Sequence, residues 1–355
     1  FSCALKLAIP IAVLSAMREC SGHNISVKGG RFMEAVARAD TIVFDKTGTL
    51  TYATPQVADV VPFGGHDAQE MLRLAACLEE HYPHSMANAV VAEAKLRGLS
   101  HKEYHSQVQY VVAHGISSMV EGKKVLIGSA HFVFEDEGCR VPEGEDEKFQ
   151  SLSPAYSHLY LCIAGELAAV ICIHDPLRRE ARAAVAALHA CGIGKVVMMT
   201  GDNRKTAEAV AKEVGVDAVY AEVLPEDKAA FVRSEKAAGR TVIMVGDGVN
   251  DSPALSEADA GVAISTGAAI AREIADITIA SEDLFELVTL RQLSQALMAR
   301  IHRNYRFIVG FNLSLIVLGV AGILPPTTSA LLHNMSTLGI SLKSMTDLLP
   351  EQERN

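Results

Sequence analysis

The stretch ADTIVFDKTGTLTYATP, residues 39–55, places a carboxylate at the end of what is predicted to be a buried strand. Residues 41–44 (TIVF) are β-branched or aromatic, the types that fill buried strands. Asp45 ends this run, and small, flexible residues follow it. Because burying a carboxylate costs free energy unless a partner compensates for it, we expect Asp45 to face a site that holds a cation.

Length and composition indicate a chain with more than one packed core and an acidic surface. Its 355 residues exceed one ordinary domain. The formal net charge of −10 and the absence of a Lys/Arg-rich run argue against a nucleic-acid partner. Seven scattered cysteines form no CxxC pair, which argues against structural zinc or a disulfide framework and fits a reducing cytosol. Phe1, in place of a starting Met, predicts that the chain is a fragment of something longer.

The apolar residues concentrate at the two ends of the chain, which predicts contact with a lipid bilayer. The hydrophobic share of 49% and the mean hydropathy of +0.20 are high for a purely soluble chain. Residues 307–342 carry no fixed charge, and a spanning helix needs roughly 20 apolar residues. Basic residues flank this stretch, as the positive-inside rule prefers. We predict transmembrane helices at 300–324 and 327–349 and the end of another at 1–20; buried core helices are the alternative.

The middle of the chain alternates strands and helices, which is the pattern of a parallel sheet. Apolar runs lead to Asp45, to Thr200 and to Gly246–Asp247. In open α/β sheets, ligands lie beyond the carboxyl ends of the strands, so these side chains are expected to share one crevice. A long block with its own turns separates the first strand from the others. We predict a discontinuous α/β domain, 21–52 and 165–299, with an α+β domain inserted at 53–164.

Four short motifs at this crevice have the chemistry that phosphoryl transfer requires. They are DKTGTLT (45–51), TGD (200–202), PEDK (225–228) and GDGVNDSPAL (246–255). Asp45 can attack the γ-phosphate of a nucleotide and form an aspartyl phosphate. Mg²⁺ held by Asp45 and Asp247 can neutralise the phosphate charge. Lys228 is a point charge suited to the transferred group, and the Thr200 hydroxyl with nearby backbone N–H groups can hold its oxygens.

These motifs resemble those of the P-type ATPases, a branch of the haloacid dehalogenase-like superfamily. The resemblance covers nearly the whole chain. It implies a Rossmann-type phosphorylation domain with an inserted nucleotide-binding domain, ATP as substrate and Mg²⁺ as cofactor. It also implies that the Thr47 carbonyl joins the magnesium shell. Further phosphate-site residues that the resemblance implies are Gly201, Asp202, Asn250, Asp251 and, in the DPLR motif at 175–178, Asp175. For the three aspartates, capping of a following helix or turn is the alternative.

Thr47 favours a pump over a phosphatase. Phosphatases of the superfamily carry a second Asp two positions after the nucleophile, and here that position holds Thr47. The resemblance therefore implies a phosphoenzyme that hydrolyses slowly. The alternatives are a membrane-tethered phosphatase, a pump for a non-heavy-metal cation such as calcium or potassium, and a non-catalytic nucleotide-binding regulator. The regulator would need a broken phosphate site, whereas Asp45, Lys228 and Asp247 are all present.

The small size of the inserted block resembles the heavy-metal-transporting branch of the family. Members of that branch carry a His near the adenine and a Glu five positions before it. In EEHYPHSMANAV (79–90) these residues are His84 and Glu79, and His81 is the competing register. Gly115 alone matches the Gly-x-Gly that the family places at the nucleotide. A surface His on an amphipathic helix is the alternative reading.

The two ends of the chain resemble the ion pathway of the same branch. Relatives carry a Pro-Cys or Cys-Pro pair there, and this chain has Cys3, with Pro10 seven residues later. Lys6 lies one turn from Cys3 on the same predicted helix face. Asn312 resembles part of a Tyr-Asn pair at the copper site, and His333 lies in the counterpart of the final span. Cys3 with His333 offers sulfur plus nitrogen, which favours zinc, cobalt, nickel, iron(II) or cadmium over copper(I); for Asn312 a helix–helix hydrogen bond is the alternative.

Taken together, the resemblance implies the C-terminal part of an ATP-driven transition-metal pump. Such a protein is expected in the plasma or inner membrane as a multi-pass monomer, with cytoplasmic phosphorylation and nucleotide domains. No Thr-Gly-Glu actuator segment occurs in the chain. We therefore expect this chain to bind ATP but not to complete a transport cycle. The sequence leaves open which ion is moved and in which direction.

Overall fold

The computed structural model describes residues 2–81, 85–99, 105–111, 115–154, 156–247, 251–264, 273–281 and 283–350, without the side chains at 2–3, 85 and 105–111. Within these ranges the helices are α1 (Ser2–Gly22), α2 (Gly30–Arg38), α3 (Ala68–Glu79), α4 (Ser85–Leu96), α5 (Asp146–Gln150), α6 (Ala181–Ala190), α7 (Arg204–Val214), α8 (Pro225–Ala237), α9 (Ser252–Glu257), α10 (Phe285–Val320) and α11 (Pro326–Ser344).

The strands belong to two separate sheets. They are β1 (Ile25–Val27), β2 (Thr41–Asp45), β3 (Gln56–Pro62), β4 (His105–Val111), β5 (Gly115–Val120), β6 (Lys123–Gly128), β7 (Ser157–Ile163), β8 (Glu166–His174), β9 (Lys195–Met199), β10 (Ala218–Tyr220), β11 (Val242–Gly246), β12 (Ala260–Ile264) and β13 (Ile277–Ile279).

The first sheet has the order β1-β13-β12-β11-β2-β9-β10. Its pairings are parallel except for β1 with β13. β2 runs between β11 and β9, with Phe44 opposite Val245 and Asp45 opposite Met199. Apolar side chains fill separate clusters on its two faces, which explains why the strands read as continuous apolar runs. The predicted α/β fold with a parallel sheet is therefore confirmed.

The second sheet is antiparallel, with the order β3-β8-β7-β6-β5-β4. Helices α3 and α4 pack on one face, and an aromatic cluster that includes Phe63 and Phe132 covers the other. Asp67 caps the start of α3: its carboxylate accepts hydrogen bonds from the backbone N–H groups of Gln69 and Glu70, 3.0 Å each. The inserted block thus has an α+β architecture.

The position of β8 corrects the predicted boundary between residues 164 and 165. That boundary assigned 165 and beyond to the discontinuous domain, whereas β8 (166–174) pairs with β3 and β7 of the second sheet. The reason is that β8 and β7 form a hairpin through the turn at Ala164–Gly165. The sequence of a buried apolar strand such as this one does not specify which sheet the strand joins.

The segments predicted to span a membrane lie in α1, α10 and α11. Helix α10 begins at Phe285 and ends at Val320, so it starts 15 residues before the predicted span and stops four residues short of its end. In the described parts of the chain, none of the helices combines the length and the apolar character needed to cross a bilayer. The predicted spans are therefore not confirmed.

A buried arginine joins α10 to the first sheet's helices. Arg291 donates hydrogen bonds to the backbone carbonyls of Val36, in the last turn of α2, and Cys191, just after α6. Gln295, one turn further along α10, donates to the same Cys191 carbonyl at 2.9 Å. The guanidinium therefore satisfies carbonyl groups at the ends of two helices, where backbone partners are missing.

We expect Arg291→Ala to lower the free energy of unfolding of the chain by about 2 kcal/mol, because buried carbonyl groups would lose their donor. Arg303→Ala is the matched control, since Arg303 lies exposed on the same helix, and should change the value by less than about 0.5 kcal/mol. Denaturant unfolding followed by circular dichroism measures both. Equal effects of the two variants would contradict the assignment.

Gly115 has a packing reason to be glycine. A Cβ built there would lie 2.5 Å from the Ile127 carbonyl oxygen and 2.5 Å from a ring carbon of Phe132. We expect Gly115→Ala to cost about 1–3 kcal/mol of stability, because the neighbouring strand must move. Gly22→Ala is the control, since no atom lies within 4 Å of its built Cβ. Unfolding midpoints that are the same for both variants would refute the packing role.

Candidate active site

Three strand ends of the first sheet form the candidate site. Asp45 is the last residue of β2, Thr200 follows β9 and Asp247 follows β11. Because these three strands are neighbours and parallel, their carboxyl ends lie at the same edge of the sheet. The side chains that were predicted to share a crevice therefore leave the sheet side by side.

A buried lysine bridges two aspartates at this edge. Lys228 Nζ lies 2.6 Å from Asp45 Oδ1 and 2.7 Å from Asp251 Oδ1. The residues are almost completely buried, with exposed fractions of 6% for Lys228, 7% for Asp45 and 0% for Asp251. Lys228 comes from the first turn of α8, which begins with Pro225. The structure thus brings residues 183 and 23 positions apart into one ion cluster.

The side chain of Asp251 belongs to this cluster. Its residue precedes α9, but the carboxylate accepts no capping hydrogen bond from that helix. Capping was the alternative role for Asp251, and the side chain instead contacts Lys228. Sequence reasoning placed Asp251 near the phosphate only by resemblance. The Lys228 contact could not be foreseen, because it joins separate motifs.

The cluster carries an excess of negative charge. Burial, together with the charge of Asp251, raises the pKa of Asp45 to about 7, although Lys228 opposes the rise. Burial also raises the pKa of Asp251, and the charge of Asp247 adds to the rise. Burial opposes the charge on Lys228, but the two carboxylates together raise its pKa. A further cation would lower the electrostatic cost of keeping both carboxylates ionised.

The residues at this edge fit Mg²⁺. Asp251 Oδ2 and the Thr49 hydroxyl oxygen are buried without a hydrogen-bond partner among the described residues, so the site has polar capacity that is not used. Across the described ranges, no three His, Cys, Asp or Glu side chains form a metal-binding group. Mg²⁺ usually takes one or two carboxylates and fills its shell with water and phosphate oxygens. Asp45 and Asp247 supply two carboxylates.

The loop after Asp45 turns sharply beneath Asp247. Gly48 has φ +76°, which favours glycine, and a Cβ there would lie 3.2 Å from the Asp247 Cβ. The Gly48 N–H donates to the Thr51 hydroxyl oxygen at 3.0 Å. Thr47, whose carbonyl was predicted to join the magnesium shell, is exposed.

Lys46 turns towards the TGD motif. Its Nζ lies 2.8 Å from Asp202 Oδ2, and its side chain is 7% exposed. The Asp202 N–H donates to the Thr200 hydroxyl oxygen at 3.1 Å, which leaves the hydroxyl proton of the buried Thr200 available as a donor. Asn203, and not Asp202, caps α7 by accepting from the Thr206 N–H at 3.0 Å. Asp202 therefore does not cap the helix. Gly201, between Thr200 and Asp202, is exposed.

In the DPLR motif, Arg178 makes the contact with the loop after Asp45. Its Nε donates to the Thr49 carbonyl at 2.8 Å, and the guanidinium carbon lies 5.3 Å from the centre of the Tyr52 ring. Asp175, the predicted functional member, lines a small cavity with Lys46, and its Oδ1 is buried without a partner among the described residues. Sequence reasoning missed Arg178, although a buried arginine needs carbonyl or carboxylate partners.

The predicted nucleotide residues are only partly described. Glu79 is buried at the end of α3, and His81 is exposed. His84 and Asn250 lie outside the described residues. Gly115 lies at the start of β5, where it packs against β6. A cavity of about 210 Å³ in this unit is lined by residues of α3 from Glu70 to Cys77 and by residues of β5, β6 and β7. Glu79 does not line this cavity.

Two of the predicted ion ligands lie together in α10 and α11. His333 Nδ1 lies 2.8 Å from Asn312 Oδ1, within hydrogen-bond distance, and both line one cavity between the helices. The contact also matches the alternative role of Asn312 in a helix–helix hydrogen bond. Lys6 is exposed on α1. The Cys3 side chain lies outside the described part of the chain.

Comparisons with known proteins agree with this geometry. Residues 39–259 match the haloacid dehalogenase-like hydrolase family. The chain is 38% identical over 330 residues to copper-transporting ATPase 2 of Rhizobium meliloti, covering 93% of this chain and 39% of that protein. It is 36% identical to the manganese-exporting P-type ATPase of Mycobacterium bovis, covering 96% and 48%. The chain therefore spans less than half the length of these curated relatives.

Among solved structures, the fold is similar to that of a zinc-transporting PIB-type ATPase, with a TM-score of 0.76 and 30% identity over 97% of this chain and 55% of that one. The resemblance inferred from the four motifs is thereby confirmed. The metals named for these relatives are copper, manganese and zinc, and they do not confirm a preference for divalent ions over copper. The chain belongs to the haloacid dehalogenase-like hydrolases, and its homologues among them are heavy-metal P-type ATPases.

Proposed function

We propose that this chain is the catalytic part of a membrane pump that transports a transition-metal ion at the expense of ATP. The observation that carries the proposal is the buried contact of Lys228 with Asp45 and Asp251 at the edge where three parallel strands end. A carboxylate held in this way is fixed in position and shielded from water. Both conditions favour attack on a phosphate group.

In the proposed reaction, an Asp45 carboxylate oxygen attacks the γ-phosphorus of ATP. A bond forms between that oxygen and phosphorus, the bond from phosphorus to the bridging oxygen breaks, and ADP leaves with the electron pair. When bound by Asp45, Asp247 and the Thr47 carbonyl, Mg²⁺ supplies positive charge for the phosphate oxygens. Lys228 keeps its charge beside the nucleophile, and the Thr200 hydroxyl with the N–H of Gly201 holds the transferred group.

The groups around Asp45 also favour a phosphoenzyme that persists. Thr47 stands where a phosphatase carries its acid/base Asp, and a threonine cannot take the proton from an attacking water at neutral pH. Lys46 is paired with Asp202 at 2.8 Å and so is held away from the nucleophile. Slow hydrolysis gives the phosphorylated state time to change the conformation of the protein.

The contact of Arg178 with the Thr49 carbonyl supports a route from the nucleotide to Asp45. We place ATP at Glu79, His84 and Gly115 in the inserted unit, with Asp202, Asp175 and Asn250 near the phosphates. The last strand of the inserted unit, β8, ends at His174, directly before the motif that carries Asp175 and Arg178. Movement of the inserted unit would thus reach the loop that holds Asp45.

For the transported ion we propose a site built from Cys3, His333 and Asn312, with Lys6 nearby. The 2.8 Å approach of His333 to Asn312 supports it. A thiolate with an imidazole suits zinc, cobalt, nickel, iron(II) or cadmium better than copper(I). The relatives include a zinc-transporting and a manganese-exporting protein as well as copper transporters. A multi-pass membrane location, cytoplasmic catalytic units and a monomeric pump belong to the same proposal.

Phosphorylation of Asp45 is the first test. Incubation of the full-length protein with γ-labelled ATP and Mg²⁺ should give an acid-stable, hydroxylamine-sensitive label, and Asp45→Asn should abolish it because an amide cannot form the acyl phosphate. Asp136→Asn is the matched control at an exposed position of the inserted unit and should keep the label. Labelling that survives Asp45→Asn would refute the proposal.

The second prediction concerns the charge of Lys228. Without Mg²⁺, Lys228→Met should lower the free energy of unfolding by about 3 kcal/mol, because two buried carboxylates lose their cation. Asp45→Asn in the same chain should recover part of the loss, giving a coupling of about 1 kcal/mol or more in a double-mutant cycle. Lys236→Met, on the same helix in a half-buried pair with Asp259, should cost less than about 1 kcal/mol. If the changes in the free energy of unfolding for Lys228→Met and Asp45→Asn are additive, the cluster is contradicted.

A further inference from the structure

The last residue of α11 and the five residues that follow it are held by buried charged side chains of other helices. We call the segment Ser344–Leu349 the clasp segment. The Glu19 carboxylate of α1 accepts the backbone N–H groups of Leu348 at 2.7 Å and Leu349 at 3.1 Å. Only 9% of Glu19 is exposed. A buried carboxylate therefore has two charge-assisted hydrogen bonds to one short stretch of backbone.

A buried arginine binds the carbonyl groups of the same segment. Arg300 of α10, 7% exposed, donates to the carbonyls of Ser344, Thr346 and Asp347, the last at 2.7 Å. Asn304, one turn along α10, donates to the Ser344 hydroxyl oxygen at 2.9 Å. The clasp segment thus presents N–H groups to an anion on one helix and C=O groups to a cation on another.

These contacts pair more backbone groups than the capping of a helix end requires. Capping would account for the Ser344 carbonyl in the last turn of α11. Thr346, Asp347, Leu348 and Leu349 lie beyond the helix, and their backbone groups are still paired with buried charges. Leu349 also packs in the main core of the first sheet. Release of the segment would take these hydrogen bonds away from two buried charged groups, which is costly.

The clasp segment sets the longitudinal position of α11 against α10. Asn312 lies 12 residues after Arg300, about 18 Å along α10, and His333 lies 11 residues before Ser344, about 17 Å along α11. Because both helices are continuous over these stretches, fixing Ser344 at Arg300 brings His333 level with Asn312. A shift of one helical turn, about 5.4 Å, would separate the two side chains.

We propose that Glu19 and Arg300 are positioning residues for metal transport. They hold α11 in the register at which His333 meets Asn312, and they connect that register to the core that carries Asp45. The inference rests on the proposed function, since it assumes that the ion binds at His333. It adds the residues that connect metal binding at His333 to the unit that carries Asp45.

The test compares the metal response with the ATP response of the full-length protein in membrane vesicles. Arg300→Lys keeps the charge but cannot reach three carbonyls. It should raise the zinc concentration for half-maximal ATPase activity about tenfold while the KM for ATP stays within twofold. Glu19→Gln, which keeps one acceptor oxygen, should give a smaller shift of the same kind. Arg303→Lys, at an exposed position of α10, should match the wild type.

Hydrogen exchange supplies a second measurement that does not depend on transport. The amides of Leu348 and Leu349 should exchange at least tenfold faster in Arg300→Lys than in Arg303→Lys. Unchanged exchange would refute the clasp itself. Faster exchange with an unchanged zinc response, or equal shifts in the zinc and ATP constants, would leave a structural role and overturn the positioning role. A wild-type protein that hydrolyses ATP without any response to metals would instead refute the proposed function.

Discussion

The constraint on which the site depends is that one lysine serves two buried aspartates. Lys228, Asp45 and Asp251 come from three separate parts of the chain, and their contacts of 2.6 and 2.7 Å leave little freedom in how α8, β2 and the start of α9 are placed. The cluster carries more negative than positive charge, and this excess favours the binding of a cation. A buried excess of negative charge that is held rigidly prefers a bound cation, and bound phosphate can then approach without repulsion.

Small residues are required where backbone and carboxylates approach closely around this cluster. A Cβ on Gly246 would lie 2.6 Å from Asp251 Oδ2, and a Cβ on Gly48 would lie 3.2 Å from the Asp247 Cβ. The two glycines therefore let the carboxylates lie against the strand end and the loop. Elsewhere in the fold, Glu19 and Arg300 hold a backbone segment through charge-assisted hydrogen bonds. In both places buried charged groups fix the relative position of chain segments that are distant in sequence.

Much of the site followed from local rules, and the rest required knowledge of contacts distant in sequence. Asp45, Thr200 and Asp247 were expected together because neighbouring parallel strands end at one edge. The inserted unit followed from the length of the gap between strands. The assignment of β8, by contrast, depends on its pairing partners, which an apolar run does not specify. Arg178 and the Asp251–Lys228 contact were missed for the same reason, and the start of α10 at Phe285 was missed because its polar first half continues into the apolar half without a break.

The two chain segments that connect the sheets run side by side. Arg178 N–H donates to the Leu50 carbonyl, Tyr52 N–H donates to the Pro176 carbonyl, and Gln56 pairs with His174 at the base of the second sheet. The inserted unit therefore departs and returns at adjacent points, and every strand of the first sheet lies outside it. Replacement of the inserted unit by a short peptide would therefore leave the edge of the first sheet that carries Asp45, Thr200 and Asp247 with all of its own residues.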